Sequence, residues 1–415
     1  DKRKGTEFLW DDPRIFGSQN QFVTFYSDRE DGDKLTFFFG RPFRTLVDKY
    51  AWRVETEDSN LVGRLFELGD ETYIYRVKTK EFKPRFSYAL GTPGNETERT
   101  SFGFTVERHE FYQADEEDYD SLNLDPDEVS NDPLLLPSNR IYQGPTWGYQ
   151  YINADFITMN YIDRFDRSED YNLGREYTAD FMLATEPFGS EGNSYHFSGN
   201  HSRGWRFSNG SFSRMELGGS TRVEDGSLVN SLMRTEIKYF NVLGSVFAKD
   251  QFLGKHTIAG NFYVDYGNDL DRDRQFLIGA DNGLRGYKAR AFEGDKRLSL
   301  SIEDRIHFVD DVFKLFSLGG VLFFDAGGAS RDSVAKIITD ELYSDVGFGF
   351  RVGFPRSTGG GILRFDVGFP LRDGPDDSKQ FDPRFTISAG QVFGARLRSE
   401  ALGSDKANVD IGFDR

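Results

Sequence analysis

Strict alternation of apolar and polar residues near the end of the chain constrains its fold more than any other feature. Apolar residues occupy every second position of one run, at Val346, Phe348, Phe350, Val352 and Phe354. The positions between them hold Asp345, Gly347, Gly349, Arg351 and Gly353, and residues 363–371 repeat the pattern around Arg364 and Asp366. Successive side chains of a β-strand point to opposite faces. A charge that faces lipid at the membrane midplane costs about 2–4 kcal/mol, so the pattern predicts transmembrane strands whose charged face lines a lumen.

Composition favours a membrane barrel over a soluble β protein. The 415 residues include 41 Phe, 19 Tyr and 44 Gly, yet the mean hydropathy is −0.57. No run of about 18 apolar residues is present, so no stretch is available for a transmembrane helix. A soluble β-sandwich or propeller would share the alternation without needing so many exposed Phe, and no fixed repeat predicts propeller blades. The net charge of −17 argues against nucleic acid as a partner.

A glycine-rich stretch, residues 279–287, lies in a long predicted loop and ends in Leu284, Arg285, Gly286 and Tyr287. Two further segments follow in order: a predicted strand with Glu303 and Arg305 on its polar face, and a strand containing Phe323, Asp325 and Gly327. Together they resemble the outer-membrane superfamily of BamA, TamA and FhaC. That superfamily has a V/I/L-R-G-F/Y loop motif followed by an F-x-D-x-G strand. The resemblance is specific in the last third of the chain and rests on strand rhythm elsewhere.

The resemblance implies an all-β protein, a transmembrane antiparallel β-barrel of about 16 strands with the motif loop folded into its lumen. It also implies that Arg285 meets Asp325 on the inner wall, with Glu303 as a second acidic neighbour or an alternative partner. An arginine fork held by carboxylates forms strong, directional hydrogen bonds. We further expect Tyr287 to pack on the inner wall, and Gly286 to supply a backbone conformation that other residues do not match.

The domain prediction is a barrel over residues 1–393 and a polar periplasmic tail over residues 394–415. Residues 11–20 resemble the first periplasmic turn of the superfamily. The resemblance leaves open whether a first strand, periplasmic POTRA domains or an enzyme domain precede residue 1. The last predicted strand, residues 384–393, would form one side of a seam between the first and last strands, with Phe385, Gly390 and Phe393 as its marker residues.

Strand parity counted from a periplasmic carboxyl end predicts the topology. Loops at 113–147, 267–295 and 372–380 are expected on the extracellular side, and turns at 11–20, 166–174 and 355–360 on the periplasmic side. Residues 147–165 read as one strand, whereas residues 60–82 fit either a strand or a loop hairpin. The count is roughly fifteen to eighteen strands. The 113–147 loop is acidic, and we interpret it as a solvated surface loop, with calcium binding as the alternative.

No catalytic chemistry is visible in the sequence. The five His are scattered, and no nucleophile elbow, phosphate-binding loop or zinc-protease motif is present. We therefore predict that the chain is not an enzyme and holds no metal or cofactor.

The resemblance instead implies a protein of the Gram-negative outer membrane, in contact with lipid and lipopolysaccharide. It would insert or translocate unfolded outer-membrane or secreted polypeptides, through lateral pairing at a strand seam or through the lumen, with accessory subunits as further partners. The alternatives are a secretion pore for a fused or separate passenger and a passive, porin-like or structural barrel.

Overall fold

The computed structural model describes residues 4–91, 94–165, 167–354 and 361–395. Strands dominate these residues, and the long ones contain many of the β-branched and aromatic residues that favour strands. The strands are β1 (Gly5–Asp12), β2 (Gln21–Arg29), β3 (Gly32–Arg41), β4 (Tyr50–Glu67), β5 (Asp70–Gly91), β6 (Glu96–Gln113), β7 (Arg140–Asn153), β8 (Phe156–Met159), β9 (Glu169–Asn172), β10 (Glu176–Ala184), β11 (Ser194–Arg206), β12 (Ser211–Glu224), β13 (Ser227–Ala248), β14 (Gln251–Asn268), β15 (Phe276–Ile278), β16 (Phe292–Gly294), β17 (Lys296–Val312), β18 (Phe316–Ser330), β19 (Tyr343–Gly353), β20 (Ile362–Pro370) and β21 (Arg384–Ala389). Two short helices, α1 (Glu116–Leu122) and α2 (Val334–Thr339), lie in connections. None of the helices in these ranges is both long and apolar enough to cross a bilayer.

Seventeen of the strands form one antiparallel sheet. Each pairs with the next along the chain, with β7 followed by β10 and β14 followed by β17. The remaining strands form two small ladders, β8 with β9 and β15 with β16. Within the described ranges, the main sheet therefore has one strand more than the sixteen implied by the family resemblance, and its count lies within the predicted fifteen to eighteen. Because direction alternates along an antiparallel sheet, its two edge strands, β1 and β21, run the same way.

Burial in the sheet is inverted relative to a soluble protein. On β17, Glu303 and Arg305 are 0 % and 2 % exposed, whereas the neighbouring Ile302 is 46 % exposed. On β19, Arg351 is buried while Phe350 is 62 % exposed. Apolar side chains thus cover the outside of the sheet and charged side chains its inside, which is the arrangement of a barrel wall between lipid and a polar lumen.

The two ends of the barrel differ. Three long connections follow alternate strands of the sheet and so lie at one end, which we call the loop end: residues 114–139, 269–295 and 371–383. These connections contact one another, since Arg272 donates to Leu134 O and the Lys288 backbone N–H donates to Asp376 (2.8 Å). The opposite end, which we call the turn end, carries residues 13–20, where a short 3-10 turn reverses the chain.

The structure decides the form of residues 60–82 and corrects the prediction for residues 147–174. Of the two alternatives for residues 60–82, the hairpin is confirmed, because these residues form the far end of the long hairpin of β4 and β5. The single strand predicted over 147–165 is wrong: β7 ends at Asn153, and β8 belongs to a separate hairpin with β9. The predicted simple turn at 166–174 is wrong for the same reason, since β9 lies within it. A backbone hydrogen bond from Asn153 N to Arg175 O (2.8 Å) closes the base of this hairpin.

The last strand is shorter than predicted. β21 ends at Ala389, and Gly390, with φ of 82°, turns the chain out of the strand. Its N–H donates to Ile362 O (2.7 Å), and Phe393 then lies inside the barrel against Phe240 rather than on a strand. The predicted turn at 355–360 and all of the predicted tail except residues 394 and 395 fall outside the described residues.

Surface labelling tests the topology. The exposed side chains of Asp127 and Asn209 lie at the loop end and the turn end. With no native Cys to interfere, Asp127→Cys on intact cells is expected to react with a membrane-impermeant maleimide, and Asn209→Cys only after the outer membrane is permeabilised. The reverse pattern would contradict the assignment of the ends.

Candidate functional site: the inward loop

The loop between β14 and β17 folds into the lumen. Its short ladder, β15 with β16, keeps the ends of the loop together while residues 279–287 reach the inner wall. Leu284 and Tyr287 are fully buried and pack with Ile278, Phe292 and Ala329. This apolar cluster anchors a loop that would otherwise be exposed at the mouth of the barrel.

Arg285 is the polar centre of the loop. Its Nε and one terminal nitrogen donate to the two carboxylate oxygens of Asp325 at 2.7 and 2.9 Å, and the other terminal nitrogen donates to Glu303 at 2.6 Å. All three side chains are fully buried. Arg285 thus binds both of the acidic residues that were expected from the sequence. Asp325 and Glu303 pair with it at the same time and are not alternative partners.

The strand motif around Asp325 forms the pocket that holds the Arg285 guanidinium. The Phe323 ring lies under the guanidinium, 3.5 Å from its central carbon, and the Ser301 hydroxyl donates to Asp325. A cation over an aromatic face is attractive, and more so where water is absent. At Gly327 an added Cβ would lie 2.5 Å from Leu298 O, so this position allows β17 and β18 to approach closely.

Gly286 is required for a reason other than the one predicted. Its φ is not positive, so a special backbone conformation is not what selects glycine there. A Cβ on Gly286 would instead lie 2.7 Å from Asp345 Cβ and 2.9 Å from the backbone nitrogen of Pro370. Gly368 faces it from the wall, where a Cβ would lie 2.7 Å from the Arg285 carbonyl carbon. The loop backbone therefore rests directly on the wall.

Tyr287 packs on the inner wall as expected and also forms hydrogen bonds. Its hydroxyl lies 3.1 Å from the carbonyl oxygens of Ser344 and Arg372, within hydrogen-bond distance of both. Its ring packs edge-on against Phe292 and Tyr343. The loop is thereby attached both to the wall and to the neighbouring 371–383 connection.

Sequence reasoning missed a second set of buried charges around the loop. Asp265 accepts from Arg234 (2.6 Å) and from Arg297 (2.9 Å), and Arg297 also donates to Leu277 O in the loop (2.6 Å). The only sequence signal for them is that charged residues recur on the lumen face of consecutive strands. Which of these charges pair depends on strand register, which the sequence does not specify uniquely.

The acidic 114–139 loop gives no support for the calcium alternative. Asp115 and Asp118 cap helix α1, and Asp118 also pairs with Arg76. Within the described ranges, no three His, Asp or Glu side chains are placed to hold a metal ion.

Comparison with known proteins agrees with this geometry. The Omp85 superfamily domain matches residues 16–393, and so includes both the loop and the strands that hold it. The chain belongs to the Omp85 superfamily. It is therefore a β-barrel protein of the Gram-negative outer membrane. Membership supports a general role as an insertase or transporter, in a family whose members handle polypeptides in that membrane.

Several solved structures are similar to the chain at low sequence identity. BamA from Haemophilus ducreyi lacking POTRA domains 1–3 has a TM-score of 0.50 and 12% identity, over 93% of this chain and 69% of that chain. CdiB from Acinetobacter baumannii has a TM-score of 0.45 and 12% identity, over 93% and 56%. A mutant of the ferric enterobactin receptor PfeA from Pseudomonas aeruginosa has a TM-score of 0.35 and 11% identity, over 93% and 65%. No curated protein sequence matches the chain significantly.

A double-mutant cycle tests the Arg285 site. Arg285→Ala and Asp325→Ala should each expose the inward loop to protease, because removing one member of a buried ion pair costs about 3–5 kcal/mol. The barrel should stay folded, as judged by heat-modifiable gel mobility, because its strands pair without the loop. The double variant should lose little more protection than either single variant.

Lys288→Ala is the matched control for the cycle. Lys288 lies in the same loop, but its pair with Asp70 (3.7 Å) is exposed, so its removal should cost at most about 1 kcal/mol. Additive losses for Arg285 and Asp325, or equal exposure of the loop in Lys288→Ala, would contradict the assigned pairing.

Gly286→Ala tests the close approach of the loop to the wall. The new methyl group would overlap Asp345 and the Pro370 backbone, so the loop should move away and become more sensitive to protease. Gly192→Ala is the control, because an added Cβ there meets no atom within 4 Å. Unchanged protection of the loop in Gly286→Ala would show that the contact is not tight.

Proposed function

We propose that this Omp85 barrel inserts or translocates polypeptides by pairing a substrate strand with its own sheet edges, β1 and β21. The observation that carries the proposal is that, among the described residues, β1 pairs only with β2 and β21 only with β20. An unpaired strand edge presents a row of backbone donors and acceptors that a further strand can complete.

The direction of the two edges defines the strand that they can accept. Since β1 and β21 run the same way, they cannot form an antiparallel ladder with each other. One polypeptide strand running the opposite way could pair with both, and it would give the sheet the even number of strands usual in bacterial barrels. An inserted strand would need apolar side chains on alternate positions.

The outer faces of the edge strands suit such a substrate. Phe8 on β1 and Ile387 on β21 are 55 % and 69 % exposed, on the side of the sheet that faces lipid. Phe385, next to Ile387 on the same face, is 75 % exposed. A substrate strand with an apolar outer face would continue this lipid-facing surface. The process involves no covalent step, so it requires no catalytic residue, metal or cofactor, and its partners are the unfolded polypeptide and the surrounding lipid and lipopolysaccharide.

The lumen offers the second route. A cavity of about 750 Å³ lies inside β2–β7 and β10–β12, with charged walls that include the pairs Lys34–Glu57 and Lys83–Glu107. A secretion pore would pass its cargo through this space. The inward loop occupies the other half of the lumen, against β17–β20, which favours the edge route over the lumen route.

Site-specific photo-crosslinking distinguishes the routes. A photoreactive amino acid is placed on the protein in native-like vesicles at Phe8, Ile387, Leu322 or Ser198, and a radiolabelled unfolded outer-membrane barrel polypeptide is added. Leu322 is the matched control, because it is 55 % exposed to lipid like Phe8 but lies on an inner strand. Ser198 lines the lumen cavity.

Crosslinks from Phe8 and Ile387 but not from Leu322 are the expected result. Crosslinks from Ser198 instead would favour the secretion pore. Equal crosslinks from Phe8 and Leu322, or from none of the four positions, would overturn the edge mechanism, and the latter result would favour a passive barrel. A crosslink from the edges to the protein's own chain would mean that its own strand fills the position.

A further inference from the structure

The connection between β7 and β10 enters the lumen from the turn end. We call residues 154–165 and 167–175 the inner hairpin. Its strands β8 and β9 pair with each other, and Ile162, Tyr171 and Leu173 are buried. An ordinary turn of a membrane barrel is short and solvated, so a buried hairpin at this end is a distinct element of this chain.

The inner hairpin covers the inside of six successive wall strands. Its apolar side chains pack against Phe212 of β12 and Phe240 of β13, and the Thr257 hydroxyl of β14 donates to Tyr161 O (2.8 Å). Arg305 of β17 donates to the hairpin backbone at Ile162 O. On β18 and β19, a Cβ added to Gly319 or Gly353 would meet the Phe165 ring at 3.1 or 2.3 Å. The wall is thus shaped to receive it.

Arg305 holds the hairpin in place. Its terminal nitrogens donate to Ile162 O (2.8 Å) in the hairpin and to Phe393 O (2.6 Å) after β21, and it also contacts Asp163 (3.4 Å). Asp163 accepts in turn from the Ala395 N–H at 2.8 Å. One buried guanidinium therefore joins the wall, the hairpin and the chain that follows the last strand.

The same guanidinium is linked to the inward loop. Glu303 accepts from Arg285 through one oxygen (2.6 Å) and from Arg305 through the other (2.8 Å). A line of alternating charges, Asp325, Arg285, Glu303, Arg305 and Asp163, thus runs from the loop to the hairpin, and the first four are at most 3 % exposed at the side chain. If the hairpin leaves, Arg305 loses two of its partners, Ile162 O and Asp163, and its pairing with Glu303 competes more strongly with that of Arg285.

We propose that the inner hairpin is a removable plug that closes the turn end of the lumen, with Arg305 as its latch. The plug and the inward loop close the lumen at opposite ends. Glu303 couples them, so that release of one weakens the hydrogen bonds that hold the other in place. With the plug displaced, the polar lumen becomes a path for ions and small hydrophilic solutes. This device acts independently of the sheet edges, and its test does not involve a polypeptide substrate.

Conductance of the purified full chain in planar lipid bilayers tests the plug. Arg305→Ala is expected to raise the ion conductance several-fold over the unmodified protein and to increase protease sensitivity of the inward loop. Arg364→Ala is the matched control, because Arg364 is also a lumen arginine, is 3 % exposed and pairs with a carboxylate (Asp366, 3.6 Å). Unlike Arg305, it has no hydrogen bond or ion pair to the hairpin among the described residues. Heat-modifiable mobility confirms that each variant is folded.

A disulfide lock makes the test specific for the hairpin. Phe165→Cys with Gly353→Cys places the two thiols within reach, since a Cβ on Gly353 would lie 3.3 Å from Phe165 Cγ, and the chain has no other Cys. In the Arg305→Ala background, oxidation should return the conductance to the closed level and reduction should restore it. Conductance of Arg305→Ala no higher than that of Arg364→Ala, or equal conductance of the locked and reduced forms, would overturn the proposal.

Discussion

A guanidinium held by two carboxylates inside the barrel is the interaction on which the rest of the site depends. Arg285 lies where no water reaches it, so its charge is tolerated only because Asp325 and Glu303 face it from adjacent strands. The arrangement in turn requires that β17 and β18 pair in one register, which sets Ser301 opposite Asp325. The register of the wall and the position of the loop are therefore specified together.

The lumen is the hydrophilic interior of this protein. Its buried charged side chains contact one another closely, as apolar side chains do in the core of a soluble protein. Charged side chains on neighbouring strands satisfy one another, as in the shared use of Asp265 by Arg234 and Arg297. Glu303 accepts from Arg285 of the inward loop and from Arg305, which holds the inner hairpin. This shared carboxylate is the basis of the proposed coupling between the two ends of the barrel.

The two routes for a polypeptide make different demands on this interior. Passage through the lumen would require both the loop and the hairpin to leave, and each departure would leave buried charges unpaired. Pairing at β1 and β21 leaves every lumen ion pair intact, since the edges lie in the wall. For this reason we propose that polypeptides are handled at the sheet edges and that the closed lumen has a separate, regulated permeability.

The sequence alone determined the barrel and the faces of its strands, because alternation is local and is read directly from residue types. The partners of Arg285 were expected from the resemblance of the motif to the superfamily. It did not determine the inner hairpin or the inward position of Phe393, since residues 147–165 and 384–393 alternate in the same way whether the strand continues or turns inward. Only the tertiary structure decided these, because the contacts that hold them, such as Arg305 with Ile162, join residues far apart in the chain. Likewise, glycine is needed at position 286 because Asp345 and the Pro370 backbone lie against it, and not because of its own backbone conformation.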